Sequence, residues 1–132
     1  QSDLEDRLER VLAASGRVVA RDAHPEAGYF FRSDHFPMAK RGVPMLYVDS
    51  GVDLLSGGTA AGDAADAAYR RDRYHQPADE FDAADWNFTG IAQDVTTLHT
   101  LGRELASSGD WPNYRTTSEF RPIRDESAAR RQ

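Results

Sequence analysis

Chemistry-bearing side chains concentrate in two short stretches. The first is Tyr29-Phe30-Phe31-Arg32-Ser33-Asp34-His35-Phe36-Pro37-Met38-Ala39-Lys40-Arg41-Gly42-Val43-Pro44, and the second is Tyr69-Arg70-Arg71-Asp72-Arg73-Tyr74-His75-Gln76-Pro77-Ala78-Asp79-Glu80. Each sets a histidine beside carboxylates and aromatic rings in a polar, proline-interrupted segment. Neutral imidazole is the commonest metal ligand, and carboxylates complete hard, sulfur-free sites. The chain has no cysteine, so disulfides, thiolate zinc sites and Cys nucleophiles are excluded together, and any metal must be held by His, Asp or Glu. On residue type alone, a surface or hydrogen-bonded histidine outweighs a ligand at both His35 and His75. His24, before Pro25 in a turn, and His99, between Leu98 and Thr100 in a helical stretch, read as ordinary.

The elements that must position these residues come from a 132-residue chain with 16 Lys+Arg against 22 Asp+Glu, a formal charge of −6. That length suits one domain. The hydrophobic fraction of 39% can supply a core, although a mean hydropathy of −0.67 makes a surface-rich one. The acidic balance argues against nucleic acid as the main partner, because phosphate binding needs a basic face. No apolar run approaches the roughly 20 residues of a membrane span. Residues 1–16 are charged and amphipathic, unlike a secretory leader.

Leu4, Leu8, Val11 and Leu12 fall on one helical stripe, with Ser2 as N-cap and Gly16 as stop. Residues 17–21 predict a strand and residues 22–26 a turn. Ser33 and Asp34 predict the start of a short helix through Lys40, closed by Gly42. Residues 44–48 predict a buried strand. The helix–Gly–strand rhythm, met twice, points to α/β architecture. Residues 49–63, rich in Gly, Ser, Ala and Asp, predict a loop, 64–73 a short polar helix and 74–80 an irregular segment. Phe88, Ile91, Val95, Leu98 and Leu105 predict a long amphipathic helix whose stripe packs on a sheet. The tail, with Arg121, Arg124, Arg130 and Arg131, reads as polar and basic.

The order and spacing of Arg32-Ser33-Asp34-His35-Phe36-Pro37, Gly42-Val43-Pro44 and Tyr74-His75-x-Pro77-x-Asp79-Glu80 resemble the co-catalytic di-zinc aminopeptidases of metallopeptidase family 28. The similarity looks strongest to that family's bacterial exported members. Gln93-Asp94 in the long helix and the closing Glu119-Phe120-Arg121…Arg124-Asp125 extend it over nearly the whole chain. The resemblance implies a zinc metallopeptidase that hydrolyses N-terminal residues from peptides, in the periplasm or secreted. It implies two zinc ions sharing a bridging carboxylate and a bridging water. It implies His75 as a metal ligand, Tyr74 as a hydroxyl that stabilises the oxyanion, and Arg32 near the substrate-binding face. Asp34, His35 and Asp79 match supporting positions around the ligands, His35 also being a weaker ligand candidate.

The family's other ligands come earlier in its sequence, in a His-x-Asp motif and a Glu-Glu pair, and this chain has neither. The expectation is therefore that residues 1–132 form the C-terminal part of a catalytic domain. That part is a segment of a three-layer α/β/α sandwich with a mixed sheet, needing the remainder of its domain as partner. Alone it is expected to be inactive, to bind zinc at most weakly, and to self-associate through exposed surface. Alternatives within the same fold are a non-catalytic binding or dimerisation relative and a glutaminyl-cyclase-like enzyme; a stand-alone binding module is a third reading.

Overall fold

Helix formation follows the apolar periodicity most closely in the first helix. In the computed structural model, which describes residues 1–22 and 24–130, α1 (Leu4–Ala13) buries Leu4, Leu8 and Leu12 on one face. Its exit at Gly16 is a two-bond closure, Arg17 N–H to the Leu12 carbonyl and Gly16 N–H to the Ala13 carbonyl. Ser2 does not cap this helix. It is fully buried and donates its hydroxyl to the Met45 carbonyl at 3.2 Å, while Asp3 holds the cap position.

Two one-turn helices follow, α2 (Tyr29–Arg32) and α3 (Phe36–Ala39), the second entered through His35 with Pro37 in its first turn. Gly42 ends α3 with the same pair of bonds and a φ of +76°. A Cβ there would lie 2.8 Å from the Arg124 backbone nitrogen, so both conformation and space require glycine. Next comes α4 (Gly58–Asp72), which begins inside the stretch expected to be loop. Its alanines favour helix, and its one buried residue, Gly62, admits the Val52 carbonyl where a Cβ would meet it at 1.9 Å. Asn87 accepts the Thr89 N–H at 2.9 Å and opens α5 (Thr89–Ala106). A last short helix, α6 (Arg121–Glu126), lies in the tail expected to be merely polar and basic. Ala23 of the expected 22–26 turn and Arg131 of the tail fall outside the described residues.

The α/β/α sandwich with a mixed sheet is not what the chain forms. Helix accounts for 49% and strand for 2%, with no sheet among the described residues. Among the described residues pairing is confined to two isolated bridges, Ser2 with Tyr114 and Leu54 with Gly58. The strands expected at 17–21 and 44–48 have suitable side chains, but a strand exists only through a ladder partner, and neither segment has one. Val18 is accordingly 84% exposed. The same absence explains α5. Without a sheet to pack on, Val95 stands 61% exposed and Leu98 46%, and the helix buries Thr97 and Leu101 instead.

Two compact units result. Residues 1–48 and 95–132 form the first, and Asp49–Asp94 the second. The first holds the core, where Ala39, Tyr114 and Phe120 are buried with Phe30, Phe36 and Met45 packed against them. Tyr114 donates its hydroxyl to the Val43 carbonyl, and burial raises its pKa above the ordinary phenol value. Arg124, also buried, gives two guanidinium bonds to the Pro112 carbonyl at 3.0 and 2.7 Å. The second unit contains α4, the segment after it and the start of α5. Phe81, Trp86 and Phe88 gather there with ring centroids 5.7 to 5.9 Å apart.

Candidate functional site

The site residues expected from the sequence divide between the units, and each group stands on its own geometry. In the first unit, Arg32 ends α2 and Ser33 donates its hydroxyl to the Tyr29 carbonyl at 2.7 Å, closing that single turn. Arg32 and Asp34 are exposed. His35 is wedged between rings, edge-on to Phe30 at 4.6 Å and stacked on Tyr47 at 4.9 Å. Its Nε2 is buried and has no hydrogen-bond partner among the described residues. Packing against these two rings therefore fixes the imidazole, with Nε2 enclosed.

In the second unit, α4 runs out into the turn carrying Tyr74, His75 and Asp79. Arg73 N–H and Tyr74 N–H both donate to the Tyr69 carbonyl at 2.9 Å. His75 then takes a left-handed backbone, φ +59°, a conformation uncommon outside glycine. The Tyr74 and His75 rings lie 4.1 Å apart, and His75 is exposed. Asp79 accepts the Tyr69 hydroxyl at 3.0 Å, and this hydrogen bond raises the Tyr69 pKa above its ordinary value. Just before the turn, Arg71 grips Asp72 with two bonds at 2.8 and 2.6 Å, which lowers the Asp72 carboxyl below its ordinary value.

Tyr69 and Gln76 are the participants that residue type did not single out. Gln76 donates its side-chain amide to the Arg71 carbonyl at 2.8 Å and its N–H to the Arg73 carbonyl. Tyr69 stands five positions before Tyr74 on a helix, so both ends of the turn come within its reach. Only the folded geometry reveals that.

The residues around His75 do not by themselves make a metal centre. Among the described residues no three His, Asp or Glu side chains gather to hold an ion. The neighbours of His75 are an aromatic ring and turn backbone. Two-metal chemistry needs bridging carboxylates and several protein ligands. The zinc that the resemblance implies therefore does not fit this donor set as a complete site.

Sequence comparison supplies the class of protein, a hydrolase of the metallopeptidase type. The model of Peptidase family M28 matches residues 1–99, which include both turns, α4 and the first half of α5. The chain belongs to Peptidase family M28, whose peptidases are generally zinc-dependent. The closing Glu119-Phe120-Arg121 lies beyond the matched residues. No curated protein and no solved structure matches the chain.

Proposed function

We propose that these residues are the C-terminal part of the catalytic domain of a zinc-dependent aminopeptidase, which hydrolyses N-terminal residues from peptides. The observation that carries the reading is the family match over residues 1–99, which spans Arg32-Ser33-Asp34-His35 and Tyr74-His75-x-Pro77-x-Asp79-Glu80 together. Within it, His75 is the one metal-ligand position, and its exposed ring leaves it open to complete a site with other residues of the domain. The donor count supports that division: one histidine cannot hold a co-catalytic pair, so the remaining ligands come from elsewhere in the domain.

Tyr74 and Arg32 act on charge that develops in the substrate. A phenol hydroxyl or guanidinium directed at an oxyanion stabilises the transition state more than the ground state. Asp34, His35 and Asp79 support these groups without touching the substrate.

The test is metal analysis with an aminopeptidase assay, on these 132 residues and on the protein that contains them. The longer protein is expected to bind zinc and release N-terminal residues, and the 132 residues alone to do neither. In the longer protein His75→Ala should lose zinc and turnover together. Tyr74→Phe should keep its zinc and lower kcat by roughly 100- to 1000-fold. Normal zinc content and rate in His75→Ala would overturn the ligand assignment. A Tyr74→Phe effect confined to KM would make that residue a binding group instead.

A further inference from the structure

Building on the reading of Tyr74 and His75 as site residues, we propose that Tyr69 is a positioning residue. Its hydroxyl, bonded to Asp79, holds the turn that presents them. Tyr69 lies in the last turn of α4 and grips the chain at two places. Its carbonyl accepts from Arg73 and Tyr74 N–H at the entry to the turn, both at 2.9 Å. Its hydroxyl donates to Asp79 Oδ2 at 3.0 Å at the exit, and its ring lies 6.0 Å from the Tyr74 ring.

Between those grips His75 keeps φ +59°. A left-handed non-glycine residue persists only where its surroundings over-determine it. The bonds inside the turn are local: Gln76 N–H to the Arg73 carbonyl at 2.8 Å and Asp79 N–H to the Gln76 carbonyl at 3.0 Å. They shape each step without fixing the exit against the entry. Three side-chain closures span Tyr74 and His75. The Gln76 amide on the Arg71 carbonyl at 2.8 Å closes the first half of the turn, the Arg73–Asp85 ion pair at 3.2 Å closes a wide loop, and the Tyr69–Asp79 bond is the one that ties the turn's exit at Asp79 back to α4. Tyr69 is itself partly exposed, so removing its hydroxyl buries no orphaned group and leaves the helix intact.

The experiment uses Tyr69→Phe, Asp79→Ala and Asp79→Asn in the full-length protein. Amide hydrogen exchange across residues 73–80 and the backbone HN–Hα coupling of His75 are read by NMR, neither of which depends on turnover. Tyr69→Phe and Asp79→Ala should each speed exchange at Gln76 and Asp79 by roughly three- to tenfold, the worth of one net hydrogen bond. Combined, they should do no more than either alone. Asp79→Asn keeps an acceptor oxygen and should restore most of the protection. In turnover, Tyr69→Phe should lower kcat and leave KM in place. Unchanged exchange and coupling in Tyr69→Phe, or additive effects in the double variant, would overturn the assignment. The expected exchange pattern in a protein without peptidase activity would sink the functional reading above and leave the Tyr69–Asp79 clamp standing, so the two failures separate.

Discussion

The Arg32–His35 turn and the Tyr74–Asp79 turn carry similar residue types and are held by opposite means. The first is fixed by packing: His35 sits between Phe30 and Tyr47, beside the core of Ala39, Tyr114 and Phe120. The second has almost no burial, and hydrogen bonds from Tyr69, Arg73 and Gln76 shape it around a left-handed His75. Packing encloses an imidazole, and an open hydrogen-bonded turn presents one. That difference leaves the His75 ring exposed and the His35 ring packed, although both motifs place a histidine next to acids and aromatics.

The largest effect that sharpens this contrast is expected at Phe120. It is buried, with ring centroids 5.4 Å from Tyr114, 6.2 Å from Phe36 and 6.4 Å from Phe30. Phe120→Ala should cost about 3–5 kcal/mol of unfolding free energy, in the range of aromatic core truncations. Denaturant titration would measure it. The backbone at His75 should give less. His75→Val, a branched side chain at φ +59°, should destabilise the turn by about 1–2 kcal/mol, whereas His75→Gly should be close to neutral. Equal exchange protection in the two variants would remove the strain from the account.

The two tyrosines extend the comparison to pH. Both have raised pKa values, Tyr114 first through burial and Tyr69 first through its bond to Asp79. For each, the folded protein holds the phenol proton more tightly than the unfolded chain. The corresponding stability is fully present below the unfolded value of 10.0 and is lost as pH rises through the folded value. Alkaline titration should therefore loosen the core with Tyr114 and the turn with Tyr69. Tyr69→Phe should remove only the second step, which tyrosinate absorbance followed alongside exchange at residues 73–80 would report.

Much of the helical framework is legible in the sequence because its causes are local. The Leu4/Leu8/Leu12 stripe, the closures at Gly16 and Gly42, and the long helix near 88–105 all follow from periodicity and glycine conformation. What escapes depends on distant partners. Residues 17–21 and 44–48 carry strand-like side chains, but a ladder needs a neighbour the local sequence cannot specify. The start of α4 hides behind Gly57, Gly58 and Gly62, glycines that suggest a loop until the close approach of Val52 explains the last of them. Helix α6 hides because Arg124 looks like a surface charge and is in fact buried against the Pro112 carbonyl. At the candidate site, residue types and motif spacing single out both histidine-bearing turns. The clamp from Tyr69 to Asp79 is invisible there, since ten positions of separation mean nothing until a helix ends between them.

The smallest expected effect bears on the same point. The apolar stripe of α5 looks like a core face, which would make Leu98→Ala cost a few kcal/mol. The structure leaves Leu98 46% exposed and Leu101, three residues on, only 6% exposed. Truncating Leu101 to Ala should cost about 2–5 kcal/mol, because buried methyl groups and their contacts are lost. Truncating Leu98 should stay within about 0.5 kcal/mol, since little apolar surface leaves water and alanine is the better helix former. Thermal or denaturant unfolding of the two variants side by side gives the comparison directly. A Leu98→Ala penalty equal to that of Leu101→Ala would mean that the stripe is covered in solution, and that the open face of α5 is an interface.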